Sequence, residues 1–284
     1  LKFNFYLFLD IFFLRFSQFL IYSELIKFSC SLSKNKKKLS ESYFLFNTNP
    51  FFRPLYTYGL GPNVYFFEYS TNSKQLYYEN DIIYDQFNLK NLTWNKYILW
   101  NEHHKNLFQK NQIINAEYLL CDHISFGPSK NFELNIDSKN SLIVFDSVPY
   151  RKSITSFRNF SVKTYDVDNI IKFHDEILKL KNNKNFYLKL KKDNIGKEFS
   201  KRYNNFLNNS KYQKLDFAFD PEEVISKFDK VICLPFSSTA FIAKKLNKNV
   251  CFFDVCQIHK DFDDYHKEIK IIRNLAELQN WYDS

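Results

Sequence analysis

The sequence predicts an α/β protein whose C-terminal half, residues 141–284, is a parallel sheet with helices between its strands. Three observations predict it. Short, nearly continuous apolar runs recur at Leu142–Phe145, Phe186–Leu190, Val231–Leu234 and Val250–Phe253, as in strands buried on both faces. Segments with helical spacing and polar caps lie between them. The link from Val231–Leu234 to Val250–Phe253 has room for one short helix, which is the minimal crossover between parallel strands.

Residues 3–28, FNFYLFLDIFFLRFSQFLIYSELIKF, predict one apolar helix. Asp10, Arg15 and Glu24 interrupt it, so no uncharged run approaches the roughly 20 residues that span a bilayer. The polar residues of 11–28 scatter around the helical wheel, so a buried helix is expected rather than an amphipathic membrane anchor. A small-residue cleavage site is absent. The chain starts at Leu1 and contains no methionine, which suggests an unusual start codon or a missing N-terminus. The polar stretch SLSKNKKKLSES, residues 31–42, separates this helix from the strand-like runs beyond it.

Those runs occur at Tyr43–Phe46, Val64–Glu68, Tyr97–Trp100 and Glu117–Cys121, with a helix after Trp100 that turns Leu107 and Phe108 inward. They predict a small α/β domain over 43–140, closed by the turn-rich stretch 127–140. Beyond Phe145 the chain continues into Asp146. Asp168 is the expected N-cap of a helix over 169–181, with Ile170, Ile171, Phe173, Ile177 and Leu178 on its apolar side. A helix at 198–208 comes after Phe186–Leu190, and Pro221 opens another reaching Phe228. Ser237, Ser238 and Thr239 stand where the next helix begins, and Asn274 with Glu277 forms a capping box for the last. Four strands alternating with helices in this half indicate a doubly wound, Rossmann-like domain. The organisation expected is therefore 1–42, 43–140 and 141–284.

Composition sets the chemical bounds. An apolar share of 45% over 284 residues permits a packed core. The abundance of Phe (33) and Tyr (19), with Gly at only 4, reads as AT-rich codon bias, which also inflates lysine and the formal charge of +9. The basic residues are scattered and no nucleic-acid module is present, so an anionic small ligand or a membrane surface fits better than nucleic acid. Five cysteines show neither a CxxC pair nor metal-ligand spacing, which suits a reducing cytoplasm and excludes structural zinc. There is no GxGxxG, Walker A, GxSxG or HExxH signature. His103 and His104 point about 100° apart on a helix start, so a solvated face is expected, not a metal site.

Two features point to an anion. The strand FYLKLKKD places Lys189 and Lys191 on one face near its carboxyl end. Ser237–Thr239 crown a helix N-terminus beyond a neighbouring strand, where anions are favoured.

The segments FDSVPY, the K-x-K strand, FDKVICLPFSSTAFIAKKLNKNVCFFD and NLAELQNW, in that order, resemble GT-B glycosyltransferases of bacterial surface polysaccharide biosynthesis. The likeness is to the CMP-sugar-using, Kdo-transferase-like group, and more distantly to teichoic-acid glycerophosphotransferases. VYFFEYST and YILWNEHHKNLF carry it, more loosely, into the N-terminal half.

The resemblance implies two Rossmann-like domains facing a cleft, a nucleotide-sugar donor, and a glycan or lipid-linked glycan acceptor. It implies neither metal nor cofactor, and a cytoplasmic protein with peripheral contact at the inner membrane. Lys189, Lys191, Ser237, Ser238 and Thr239 would bind the donor. Glu68 and Asp146, each at a strand end, would be the catalytic carboxylates, with Glu102 and Asp122 as competitors. Transfer from a CDP-polyol, or a non-catalytic nucleotide- or glycan-binding module, are the alternatives.

Overall fold

The computed structural model describes residues 5–34, 43–46, 53, 55–67, 93–111, 115–121, 141–147, 149, 165–181, 185–191, 201–235, 237–257 and 269–284. The chain divides into two compact units, one built from 1–69 with 87–122 and the other from 70–86 with 123–284.

The first unit opens with helix α1 (Phe5–Lys34). It continues through β1 (Phe44–Phe46), a 3-10 turn at Leu55–Leu60, β2 (Val64–Phe67), β3 (Lys96–Leu99), α2 (Glu102–Asn111) and β4 (Glu117–Leu120). The strands pair in parallel in the order β1-β2-β3-β4. Their core is aromatic: Phe66, Trp94, Tyr97 and Phe108 are buried with Leu60, Val64 and Leu99. Tyr97 meets Phe108 edge-on with centroids 5.4 Å apart, the geometry that ring quadrupoles favour.

Two expectations for this unit are corrected. Helix α1 is not buried: its apolar side chains are exposed from Phe12 to Phe28 with few interruptions. An all-round apolar helix cannot turn every such side chain to one partner element. His104 does not lie on a solvated face. It is fully buried, edge-on to Phe108 with centroids 5.1 Å apart, and burial pulls its imidazole down to about 3.

The second unit runs β5 (Ser141–Phe145), α3 (Val167–Ile177), β6 (Asn185–Lys189), α4 (Lys201–Asn209), β7 (Gln213–Leu215), α5 (Pro221–Ser226), β8 (Lys230–Cys233), α6 (Ser238–Lys245), β9 (Asn249–Phe253), β10 (Lys270–Ile272) and α7 (Leu275–Asp283). All neighbours pair in parallel, in the order β7-β6-β5-β8-β9-β10. Counted from β5 that order is 3-2-1-4-5-6, so the direction of winding reverses between β5 and β8. The expected parallel pairing of β8 with β9 is present, with Val231 opposite Val250 and Cys233 opposite Phe252.

Side-chain alternation divides the sheet's two faces. Leu142, Val144, Phe186, Leu188, Ile232, Cys251 and Phe253 join the core with α3, α4 and α7 residues. On the other side, Tyr187 packs against Phe228 just after α5, and Phe252 packs against Phe241 of α6. Helices therefore cover both faces. One cap is shifted: Asp166, not Asp168, caps α3, accepting from Asp168 N–H at 2.9 Å. Asp220 caps α5 behind Pro221, and Asn274 Oδ1 accepts from Glu277 N–H at 2.9 Å. Among the described residues no helix is long and apolar enough to cross a membrane.

Candidate functional site

In an open α/β sheet, ligands gather beyond the carboxyl ends of the strands at the point where winding reverses. Here that point lies between β5 and β8. Beyond β5 the chain reaches Asp146 and Ser147, both buried, and Asp146 N–H continues the ladder by donating to Lys189 C=O at 3.0 Å. Beyond β8 it turns through Leu234 and Pro235 into α6, and Ser237 N–H donates to Leu234 C=O at 3.2 Å.

Ser237 is the backbone N-cap of α6, with extended φ −63 and ψ 134, yet its side chain makes no capping bond. Instead Ser237 Oγ lies 2.7 Å from Thr239 Oγ1, which lies 3.3 Å from Cys233 Sγ. The Ser237 and Thr239 hydroxyls thus bond each other and Thr239 meets the strand end, while the Ser237 side chain makes no capping bond to the helix's first N–H groups. Those groups and the helix dipole favour an anion at this place. Ser237, Ser238 and Thr239 are all half-buried. Burial pushes the Cys233 thiol up to about 12, so it stays a neutral member of this set.

Asp146 belongs to a buried polar chain. Tyr203 O–H of α4 donates to Asp146 Oδ1, and the Tyr203 oxygen lies 3.1 Å from His174 Nε2 of α3. His174 Nδ1 lies 3.2 Å from the Tyr212 hydroxyl, and His174 Nε2 lies 3.9 Å from Asp146 Oδ1. Every contact is satisfied when the imidazole donates from Nε2 to Tyr203 and accepts at Nδ1 from Tyr212. Burial first, and then the charge of Asp146, holds both tyrosine hydroxyls well above their usual range. The chain fixes one carboxylate oxygen only. Asp146 Oδ2 is buried with no hydrogen-bond partner among the described residues, which is costly unless something else supplies a donor.

Asp146 was singled out from its place at a strand end, whereas Tyr203, His174 and Tyr212 were not. One signal was present: His174 sits within the apolar stripe Ile170, Phe173, Ile177 of α3, where a polar residue needs a partner.

The other named residues are distributed across the two units. Lys189, the last residue of β6, is buried, and its ammonium donates to Phe217 C=O at 2.9 Å and Leu190 C=O at 3.1 Å. Burial lowers it to about 8, against the opposing pull of Asp216, Asp220 and Asp146. Lys191 lies beyond the strand in an exposed bend, so the alternation expected to align it with Lys189 has ended before it. Glu102 begins α2, exposed, and pairs with Lys105 at 3.2 Å. Glu68 and Asp122 lie outside the described residues. Among the described residues no cluster of His, Cys, Asp and Glu could hold a metal ion.

None of the curated proteins matches the chain. Solved structures do. A crystal structure of TarM is 12% identical, with TM-score 0.49, covering 91% of this chain and 50% of that one. A TarM variant of S. aureus in complex with fondaparinux, alpha-GlcNAc-glycerol and UDP is 12% identical, with TM-score 0.43, covering 80% and 47%. KpsC of Thermosulfurimonas dismutans, a beta Kdo 2,4 transferase, is 14% identical, with TM-score 0.34, covering 59% and 50%. The chain spans about half the length of each.

The family comparison is stronger, because it takes in nearly the whole chain. The family is named for a PFTS motif, and residues 235–238 of this chain read Pro-Phe-Ser-Ser. Through the match of residues 7–282, the chain belongs to the family of polysaccharide biosynthesis PFTS motif proteins.

Proposed function

We propose that the protein is a glycosyltransferase of surface-polysaccharide synthesis that takes an acidic, Kdo-like sugar from a CMP-sugar. Its second unit is the doubly wound, donor-binding half of a GT-B enzyme, and the domain limits are 43–140 and 141–284. The observation that carries the reading is the occurrence, at the reversal between β5 and β8, of a hydroxyl-rich helix N-terminus and of a carboxylate oxygen that lacks a donor among the described residues. The first suits the phosphate of a nucleotide. The second suits a group that accepts a proton from a hydroxyl or attacks a sugar carbon.

In this scheme the donor phosphate rests on Ser237, Ser238 and Thr239, and Lys191 adds an exposed positive charge. Lys189 shapes the site through its carbonyl bonds rather than meeting the donor directly. As the bond from sugar to phosphate breaks, the α6 N-terminus stabilises the departing CMP without a metal. The acceptor hydroxyl loses its proton and its oxygen joins the sugar. Asp146 acts at that step, held in place by Tyr203, and Glu68 is the second carboxylate assigned to it.

Screening CMP, CDP, UDP and GDP for thermal stabilisation tests the donor assignment. CMP at a hundredfold its Kd adds about 2.7 kcal/mol. Stabilisation by CDP alone moves the reading to polyol-phosphate transfer. Stabilisation by none of the four removes the donor site.

A further inference from the structure

We infer that His174 is a positioning residue for Asp146, acting through Tyr203. The inference rests on the reading that Asp146 serves the transfer step. Four buried side chains from separate parts of the second unit form one chain: Asp146 beyond β5, Tyr203 on α4, His174 on α3 and Tyr212 just before β7. His174 Nε2 lies 3.9 Å from Asp146 Oδ1, too far for a hydrogen bond. It lies 3.1 Å from the Tyr203 oxygen, and Tyr203 O–H donates to that same Oδ1. His174 Nδ1 is 3.2 Å from the Tyr212 hydroxyl. Aromatic neighbours wall the imidazole on several sides. Phe173 and Tyr212 meet it edge-on with centroids 5.0 and 5.4 Å away, and Tyr203 and Phe206 lie tilted at 5.9 and 6.3 Å. Such packing holds the ring plane, so each nitrogen stays on its partner.

The chain has a direction. A hydroxyl has one proton to give, and an imidazole that donates at one nitrogen can accept at the other. A carboxylate only accepts, so the Tyr203 proton goes to Asp146 Oδ1. The Tyr203 oxygen then receives from His174 Nε2, and His174 Nδ1 receives from Tyr212. In the opposite order Tyr203 would give its proton to Nε2 and leave Oδ1 bare. Aligned bonds polarise one another, so His174 strengthens the grip of Tyr203 on the carboxylate. Of the side-chain atoms in this chain, Asp146 Oδ2 alone has no partner among the described residues. A site that needed only volume would be served as well by apolar groups. A polar chain satisfied up to its last oxygen presents that oxygen to a ligand. In the transfer step the acceptor hydroxyl gives its proton to Oδ2 as its oxygen bonds the anomeric carbon. The bond from that carbon to the phosphate oxygen breaks, and its electron pair leaves with CMP. His174 raises the rate of this step while touching neither sugar, acceptor nor CMP.

Spectroscopy and kinetics on the full chain test the inference together. Nitrogen NMR of the histidine rings, with His174 assigned by its loss in His174→Gln, should show a proton on Nε2 and none on Nδ1. A proton on Nδ1 overturns the direction, because Tyr212 would then be accepting. The Asp146 carboxyl carbon signal, assigned by its loss in Asp146→Asn, should shift in His174→Phe. It should return in His174→Gln, which keeps a donor and an acceptor. With CMP-Kdo as donor and a lipid-linked glycan as acceptor, His174→Phe should lower kcat at least about tenfold, with KM and CMP affinity within about twofold of wild type. His174→Gln should recover most of that loss. A residue that only fills the core would lower the urea midpoint without splitting kcat from KM. Tyr212→Phe removes the donor to Nδ1 and keeps the ring, so it should lower kcat about threefold, and it carries the test where His174→Phe does not fold. Unchanged kcat in His174→Phe, beside an active wild type, overturns the positioning role and leaves the transferase reading standing. No transfer by the wild type overturns that reading instead, and the carboxyl signal then decides whether His174 positions Asp146.

Discussion

At the scale of single residues, the buried chain through Asp146 makes the sharpest claims. Removing the Tyr203 hydroxyl as Phe takes away the donor to a buried carboxylate and leaves His174 Nε2 facing a ring edge. Tyr203→Phe should cost roughly 2–3 kcal/mol in denaturant unfolding, and sugar transfer should fall because Asp146 is no longer held. Asp146→Asn keeps the shape and removes basicity, so transfer should be abolished while CMP affinity stays within about twofold of wild type. Full activity in Asp146→Asn would pass the chemical role to Glu68. His104 makes a claim about acid. Its folded value near 3 lies below the ordinary 6.5, so the unfolded chain takes up the proton first. Stability should therefore be complete above about pH 6.5 and fall as pH drops from there toward 3, by an amount on the order of 5 kcal/mol for this group. His104→Leu should flatten that part of the pH profile, measured by urea midpoints at pH 7 and pH 4.5. An unchanged slope would mean that the imidazole is protonated in the folded protein.

Among the elements, α6 carries the proposed donor site. The Ser237 and Thr239 hydroxyls bond each other and Thr239 meets Cys233, so in the proposed scheme phosphate is drawn by the backbone end of the helix. Ser238→Leu puts a branched side chain at the first residue of the helix. CMP affinity should fall at least about tenfold, while the far-UV spectrum and urea midpoint change little because Ser238 is only half-buried. Unaltered affinity would place the nucleotide elsewhere. The legibility of these elements tracked their burial. β5, β6, β8 and β9 lie inside the sheet and show as apolar runs within a residue of their true limits. β7 and β10 escaped notice because they are the sheet's edges and only three residues long, Gln213-Lys214-Leu215 and Lys270-Ile271-Ile272. Strands that short carry too little alternation to be seen. The start of α3 moved by two residues because Asp166 and Asp168 both qualify as caps, and only the backbone decides between them. The partners of Asp146 were invisible for a different reason: Tyr203 stands 57 positions away, and its contact with Asp146 is made by the fold rather than by the local pattern.

For the molecule as a whole, the division into two units with separate cores gives a way to locate the donor site without a ligand-bound structure. The three tryptophans are unequally placed: Trp94 and Trp100 are buried in the first unit, and Trp281 is buried in the core of the second. Trp281→Phe therefore leaves fluorescence that reports the first unit alone, and Trp94→Phe with Trp100→Phe leaves a reporter of the second. A ligand that binds only the folded state raises the midpoint of the unit it holds. With CMP at a hundredfold its Kd, the Trp281 signal should move upward by an amount on the order of 10 °C. Signals from Trp94 and Trp100 should move less, because β5, β8 and α6 all belong to the other unit. Repeating the measurement in Ser238→Leu should cancel the shift of Trp281 while leaving its midpoint without CMP nearly unchanged. A shift confined to Trp94 and Trp100 would move the nucleotide to the first unit, and the assignment to Ser237–Thr239 would then fail. Coincident shifts in both variants would show that the two units unfold together, in which case the loss of response in Ser238→Leu assigns the site.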